Sequence, residues 1–113
     1  MCGCSMEQID SEKLEATAEE ASKLLKNMSH PSRLMVLCHL MKGECPVSEL
    51  NQVVPLSQSA LSQHLANLRQ ADLVDTRRES QMIYYRLKRQ AVSEILEALY
   101  KIYCNTNDKE NVI

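Results

Sequence analysis

Five cysteines are the most reactive side chains in this 113-residue chain: Cys2, Cys4, Cys38, Cys45 and Cys104. Thiolates attack oxidants and sulfur donors, ligate soft metals and pair as disulfides. An odd number leaves at least one thiol unpaired within a chain, which fits redox or metal chemistry better than a structural disulfide framework. The N-terminal stretch MCGCSMEQIDSEKLEATAEE is acidic and lacks the apolar segment of a secretory signal, and no apolar run approaches the length of a membrane span. The expectation is a cytoplasmic protein with no membrane partner, in which disulfides are not the resting state. Cys38 sits inside the apolar run RLMVLCHLMKGEC. Taken alone it reads as a small hydrophobe filling a core.

A second group of polar residues has helical spacing. Gln58, Ser59, Ser62, Gln63 and Asn67 fall on one side of the segment SQSALSQHLANLRQADL, opposite Leu61, Leu65 and Leu68. Near a helix start, Gln and Ser side chains can read base edges in a DNA major groove. His64 suits either a phosphate contact or a packing role. Arg69, Arg77 and Arg78 would mostly meet backbone phosphate, giving affinity without specificity. The whole chain carries a formal charge of −2, which argues against a nucleic-acid partner, but residues 46–89 hold six Lys/Arg against four Asp/Glu. A local basic patch matters more than the total.

Those residues need a frame. Residues 11–28 predict a helix, with Leu14, Ala18, Ala21, Leu25 and Met28 recurring at helical spacing. Ser29-His30-Pro31 interrupts, and Pro31 suits the first turn of a helix running to about Lys42. Leu34, Leu37, Cys38 and Met41 would form its apolar face, and Gly43 would end it. A short helix follows in SELNQVV, closed by Pro55. Ser57 is a good N-cap for the helix reaching Leu73. The segment LVDTRRESQMIYYRLK then alternates, with Ile83, Tyr85 and Leu87 on one side, so it predicts a hairpin with a tip near Glu79–Gln81. Residues 90–103 predict a last helix with two apolar faces: Val92, Ile95, Leu99 and Ile102, against Leu96, Tyr100 and Tyr103. A helix apolar on two sides needs two partners, its own core and a second protomer. The fold class is mainly α with a β-hairpin wing: a winged helix-turn-helix forming a homodimer through its first and last helices. Residues 11–104 would form the domain, with tails at 1–10 and 105–113.

The motifs Met28-Ser29-His30-Pro31, Arg33-Leu34, Val47–Leu50, Leu56–Leu68 and Leu73–Arg78 together resemble the ArsR/SmtB family of dimeric winged-helix transcription regulators, over about Leu24 to Cys104. The resemblance implies double-stranded operator DNA as partner and no cofactor. Its arsenic/cadmium-type metal pattern, E-L-C-V-C-D-L, meets Glu44-Cys45-Pro46-Val47-Ser48-Glu49-Leu50 here, so Pro46 and Ser48 stand at the two thiolate positions and Cys45 is offset by one. The zinc-type site needs Asp and His on the last helix, and QAVSEILEALYKIYC has neither. No metal site is expected. The pair Cys38 and Cys104 resembles that of the sulfane-sulfur-sensing branch, with its BigR-, SqrR- and HlyU-like members. This implies that the reduced protein binds its operator and that reactive sulfur species crosslink the two thiols and release it. Lys101 and His39, nearby in sequence, are candidates to lower a thiol pKa.

Competing readings are an arsenical or soft-metal sensor using Cys2, Cys4, Cys45 or Cys104 in a new arrangement, and an HlyU-like antisilencing activator. Cys2 and Cys4 read as a reactive tail and Cys45 as a loop bystander. An enzyme is not expected: there is no C-x-x-C, no Ser/His/Asp set and no Gly-rich phosphate loop.

Overall fold

The computed structural model describes residues 11–104, so both tails, with Cys2 and Cys4, lie outside the described residues. Five helices and three strands follow in the order α1 (Ser11–Met28), α2 (Pro31–Leu40), β1 (Cys45–Pro46), α3 (Val47–Val53), α4 (Gln58–Gln70), β2 (Val74–Glu79), β3 (Met82–Leu87) and α5 (Gln90–Tyr103). The strands form one antiparallel sheet in the order β1-β3-β2. This is a winged helix-turn-helix, as the sequence predicts. Nothing in the sequence pattern marks β1. Two residues carry no periodicity, and the strand exists only through its pairing of Cys45 with Tyr85 and Pro46 with Tyr84. Cys45 is therefore a buried strand residue and not a loop bystander.

One apolar core joins these elements. Met28, Val36, Leu37, Leu40, Leu50, Leu61, Leu65, Leu68, Leu73, Val74, Val92 and Leu96 are all buried in it. The inward face of α2 is Val36, Leu37 and Leu40, with Leu34 and Met41 packed at its edge, while Cys38 is exposed. This corrects the expected face, and with it the reading of Cys38 as core filler. The cause is that α2 is apolar on nearly every side, so its own periodicity cannot choose which side faces in. The helix also ends two residues early, at Leu40, in a turn closed by the Gly43 N–H on the Leu40 carbonyl (3.0 Å) with Gly43 at φ +135°.

α4 stops at Gln70, short of the expected Leu73, because Asp72 takes a left-handed conformation (φ 69°). The Leu73 N–H then reaches back to the Leu68 carbonyl and the Asp72 N–H to the Arg69 carbonyl, both at 3.0 Å. That is a Schellman ending, and its usual apolar pair is supplied by buried Leu68 and Leu73. At the wing tip Glu79 pairs with Met82, leaving a two-residue loop, Ser80-Gln81, in which Ser80 takes φ 60° in place of glycine. In β3, Tyr85 and Leu87 pack inward, whereas Ile83, expected beside them, is exposed near the tip.

The first and last helices leave apolar surface uncovered. α1 is anchored by Leu24 and Met28 at its C-terminal end, and its expected stripe residues Leu14 and Leu25 are 44% and 52% exposed. α5 faces the core through Val92 and Leu96, one from each expected face, with Ile95 beside them. Tyr100, Ile102 and Tyr103 stand out in solvent.

Candidate nucleic-acid interface and thiol pair

α4 begins with a side-chain cap. The Ser57 hydroxyl accepts from the Ala60 N–H at 3.2 Å, satisfying one of the four free donors at the helix start. Burial of Leu61, Leu65 and Leu68 fixes the roll of the helix. That roll turns Gln58, Ser59, Ser62 and Gln63 outward, where they line a shallow open depression. Asn67, one turn further along, is half-buried. The exposed group therefore offers amide and hydroxyl donors and acceptors at the N-terminal half of the second helix of a helix-turn-helix, where a major groove would be read.

His64 has a different environment. Its Nδ1 accepts from Arg33 Nε at 3.1 Å, and its ring lies 4.4 Å from that of His30, centroid to centroid. Arg33 also donates to the Asn27 carbonyl (3.1 Å), and His30 caps α2 by accepting from the Ser32 N–H (3.0 Å). His30 is thus a helix-start residue. Desolvation, with His30 and Arg33 adding to it, lowers the pKa of His64 and keeps its ring neutral. One polar cluster thereby fastens α4 to the junction of α1 and α2.

The wing's basic residues are mostly engaged within the protein. Arg77 makes a two-point contact with Glu44 (Nε and Nη2, each 2.9 Å) and a third with Glu79 (2.7 Å), with its guanidinium 4.7 Å from the Tyr84 ring centroid. The Arg77 pKa is accordingly raised, and that hydrogen bond holds the Glu44 carboxyl below its usual value. Arg86 pairs with Asp75 (3.1 Å) and Lys88 with Asp72 (2.9 Å). Arg69 and Arg78 are exposed, and among the described residues neither forms an ion pair. Of the arginines expected at phosphate, Arg69 and Arg78 have unengaged guanidinium groups and Arg77 does not. Sequence reasoning misses Glu44, Asp72 and Asp75. Glu44 lies 33 residues from Arg77, and no local pattern marks the pair.

Cys38 and Cys104 are both free and exposed. Cys38 sits on the outer side of α2, and Cys104 caps α5 with its N–H on the Tyr100 carbonyl (2.7 Å). The Cys38 thiol is pushed up by desolvation and, next, by the charge of Cys104, so the two thiols lie within electrostatic reach of each other across 66 residues of sequence. For Cys38 this runs against the expected lowering of a thiol pKa. The His39 ring is held by Glu49 at 2.7 Å, and the net effect on Cys38 is upward.

The sequence pattern of the "Bacterial regulatory protein, arsR family" matches residues 30–76, from the α2 cap to the middle of β2. A "Biofilm growth-associated repressor" of Xylella fastidiosa is 43% identical over 99 residues, covering 88% of this chain and 86% of the relative. This chain belongs to the ArsR family. A second relative, the "Transcriptional activator HlyU" of Vibrio cholerae, is 44% identical over 96 residues, covering 85% of this chain and 89% of the relative. The solved structure of reduced HlyU from the same organism superposes with a TM-score of 0.79 at 44% identity, over 82% of this chain and 98% of that one. The chain is a winged-helix transcription regulator, and family and relatives alike are regulators and not enzymes. No described helix is long and apolar enough to cross a membrane.

Proposed function

We propose that this regulator is a homodimer that binds operator DNA when reduced and leaves it when reactive sulfur species crosslink Cys38 and Cys104. The observation that supports this reading is that Cys38 on α2 and Cys104 at the end of α5 are both free and exposed, with the charge of Cys104 contributing to the raised Cys38 pKa. One thiolate attacks the outer sulfur of a low-molecular-weight persulfide RSSH, RSH departs, and a cysteine persulfide remains. The second thiolate attacks the inner sulfur of that persulfide and expels hydrosulfide. The protein dithiol is oxidised to a disulfide, and RSSH is reduced to RSH and hydrogen sulfide. With a second RSSH, one sulfur atom stays in the bridge, spanning a longer gap than the Cα separation of about 4.4–6.8 Å that a direct disulfide requires. A raised Cys38 pKa keeps the resting thiol mostly protonated.

The exposed apolar surface of α1 and α5 is the surface a second copy would cover. Each exposed leucine, tyrosine or isoleucine covered there contributes roughly 1.5–3 kcal/mol. The dimer would set two α4 helices at half-site spacing. Gln58, Ser59, Ser62, Gln63 and Asn67 would read bases, Arg69 and Arg78 would meet phosphate, and His64 and Arg77 would hold α4 and the wing in place. A bridge from α2 to α5 would join the reading unit to the dimerisation helix and shift the half-sites. Repression is the first reading, given the relative named as a repressor; relief of silencing is the second, given the relative named as an activator.

The test uses duplex DNA selected by the reduced protein from a random pool. Persulfide-treated wild type should lose affinity and show a Cys38–Cys104 bridge by mass spectrometry, while C38S and C104S keep affinity after the same treatment. Unchanged binding by treated wild type overturns the sensor reading.

A further inference from the structure

Cys45 is the thiol that the proposed sensing pair leaves unused. It is 4% exposed, in β1, and it does not stand alone. His39 in the last turn of α2 and Glu49 in α3 turn toward it, and one ligand atom from each (an imidazole nitrogen, the Cys45 Sγ and a carboxylate oxygen) lies within 4.8 Å of the others. Three consecutive elements, α2, β1 and α3, thus converge on one point. His39 is nearly enclosed, with its side chain 14% exposed, and Glu49 is half-open at 48%. We propose that His39, Cys45 and Glu49 form a binding site for a borderline divalent transition metal of the zinc type.

The donor set is selective. A thiolate and an imidazole disfavour magnesium and calcium, and one sulfur, one nitrogen and one oxygen suit a four-coordinate zinc or cobalt(II) ion with solvent in the fourth position. The distances permit it. Metal–ligand bonds of about 2.0–2.3 Å in a tetrahedron place donor atoms roughly 3.4–3.6 Å apart. The present His39–Glu49 contact of 2.7 Å would open slightly, and the half-exposed Glu49 side chain has the freedom to do so. Charge closes as well. Binding displaces the Cys45 thiol proton to solvent, so a divalent ion meets one thiolate, one carboxylate and one neutral imidazole, and the filled site carries no net charge. This set is not the two-thiolate pattern of the arsenic/cadmium type, whose positions here are Pro46 and Ser48. A bound ion would tie the end of α2 and the start of the helix-turn-helix to β3 of the wing, because Cys45 pairs with Tyr85.

Cobalt(II) is the probe, added to reduced full-length protein under anaerobic conditions. Wild type and a C2S/C4S variant should both bind one equivalent per chain, with a thiolate-to-cobalt charge-transfer band and intense tetrahedral d–d bands that zinc abolishes. C45S should lose the charge-transfer band. H39A and E49Q should each weaken cobalt binding by about tenfold or more. A band that survives in C45S, a band missing from C2S/C4S, or an affinity unchanged in both H39A and E49Q overturns the site. If C45S loses its helical circular dichroism, H39A and E49Q decide. C38S and C104S should bind cobalt like wild type, so failure of this site and failure of the sulfur-sensing reading are separate results.

Discussion

Removing the His64 side chain tests whether the histidine on α4 positions that helix or contacts DNA itself. The structure gives it three attachments: the 3.1 Å bond from Arg33 Nε, the ring contact with His30 at 4.4 Å, and partial burial beside the core. A hydrogen bond with a charged donor is worth roughly 1.5–3 kcal/mol when well shielded, and this one is only part-buried, so a coupling of about 1 kcal/mol is expected. Adding the lost ring contact, H64A should destabilise the protein by about 1–2 kcal/mol. The clean measurement is a double-mutant cycle of H64A, R33A and the double variant by urea unfolding at pH 7.5 without DNA and at fixed protein concentration. Operator affinity should fall up to about tenfold in H64A, equivalent to 1.4 kcal/mol, with no change in salt dependence. The pH dependence has a definite sign. The His64 pKa is lowered in the folded state, so the unfolded chain takes up a proton first as pH falls past 6.5. The contribution of His64 is complete above that value and fades below it, toward its lowered folded pKa. The stability gap between wild type and H64A should therefore narrow on acidification from pH 6.5. A coupling energy below about 0.3 kcal/mol, or a salt slope reduced in H64A as for a lost phosphate contact, would refute the positioning role.

The remaining expectations concern the wing and the core. R78A should weaken binding about equally for all DNA sequences and reduce the salt slope by roughly 1, whereas R77A, whose guanidinium is already held by Glu44 and Glu79, should change the slope less; filter binding at several salt concentrations separates them. Leu65 is 1% exposed on the inner face of α4, so L65A should cost about 2–5 kcal/mol in urea unfolding and reduce helical signal at 37 °C. At the wing tip Ser80 sits at φ 60°, so S80G should leave the melting temperature unchanged or higher, while S80V should destabilise by about 1–3 kcal/mol.

How much of the molecule is legible in its sequence depends on the range of the interactions. Helix α4 can be read from the Ser57 cap and the spacing of Leu61, Leu65 and Leu68, because capping and periodicity are local. The outward set of Gln58, Ser59, Ser62 and Gln63 follows from the same spacing. The inward face of α2 is not legible. Arg33 to Lys42 offers apolar residues on several sides, and the neighbouring helices and β3 select Val36, Leu37 and Leu40. β1, the Arg33–His64 bond and the Arg77–Glu44 pair are hidden for one reason: each joins residues roughly 30 or more positions apart, with no repeat to mark them. The grouping of His39, Cys45 and Glu49 spans only eleven residues, but it needs a strand whose existence depends on β3.

The long-range pairs also bear on how a chain of net charge −2 can serve as a DNA-binding regulator. Arg77, Arg86 and Lys88 are each matched by a carboxylate on the wing or beside it, so their charges largely cancel at a distance. Exposed pairs of this kind add little stability, about 0–1 kcal/mol each, but they fix the wing's direction and keep a strongly basic patch from forming. Of the six cations in residues 46–89, Arg69 at the end of α4, Arg78 on β2 and Arg89 just before α5 form no ion pair among the described residues. Three such cations give weak nonspecific attraction. On the proposed reading, useful affinity would then come from the polar face of α4 meeting the correct bases and from two protomers engaging at once. The proposed dimer would be sensitive to the spacing between its two α4 helices, and a bridge from α2 to the end of α5 would act on that spacing.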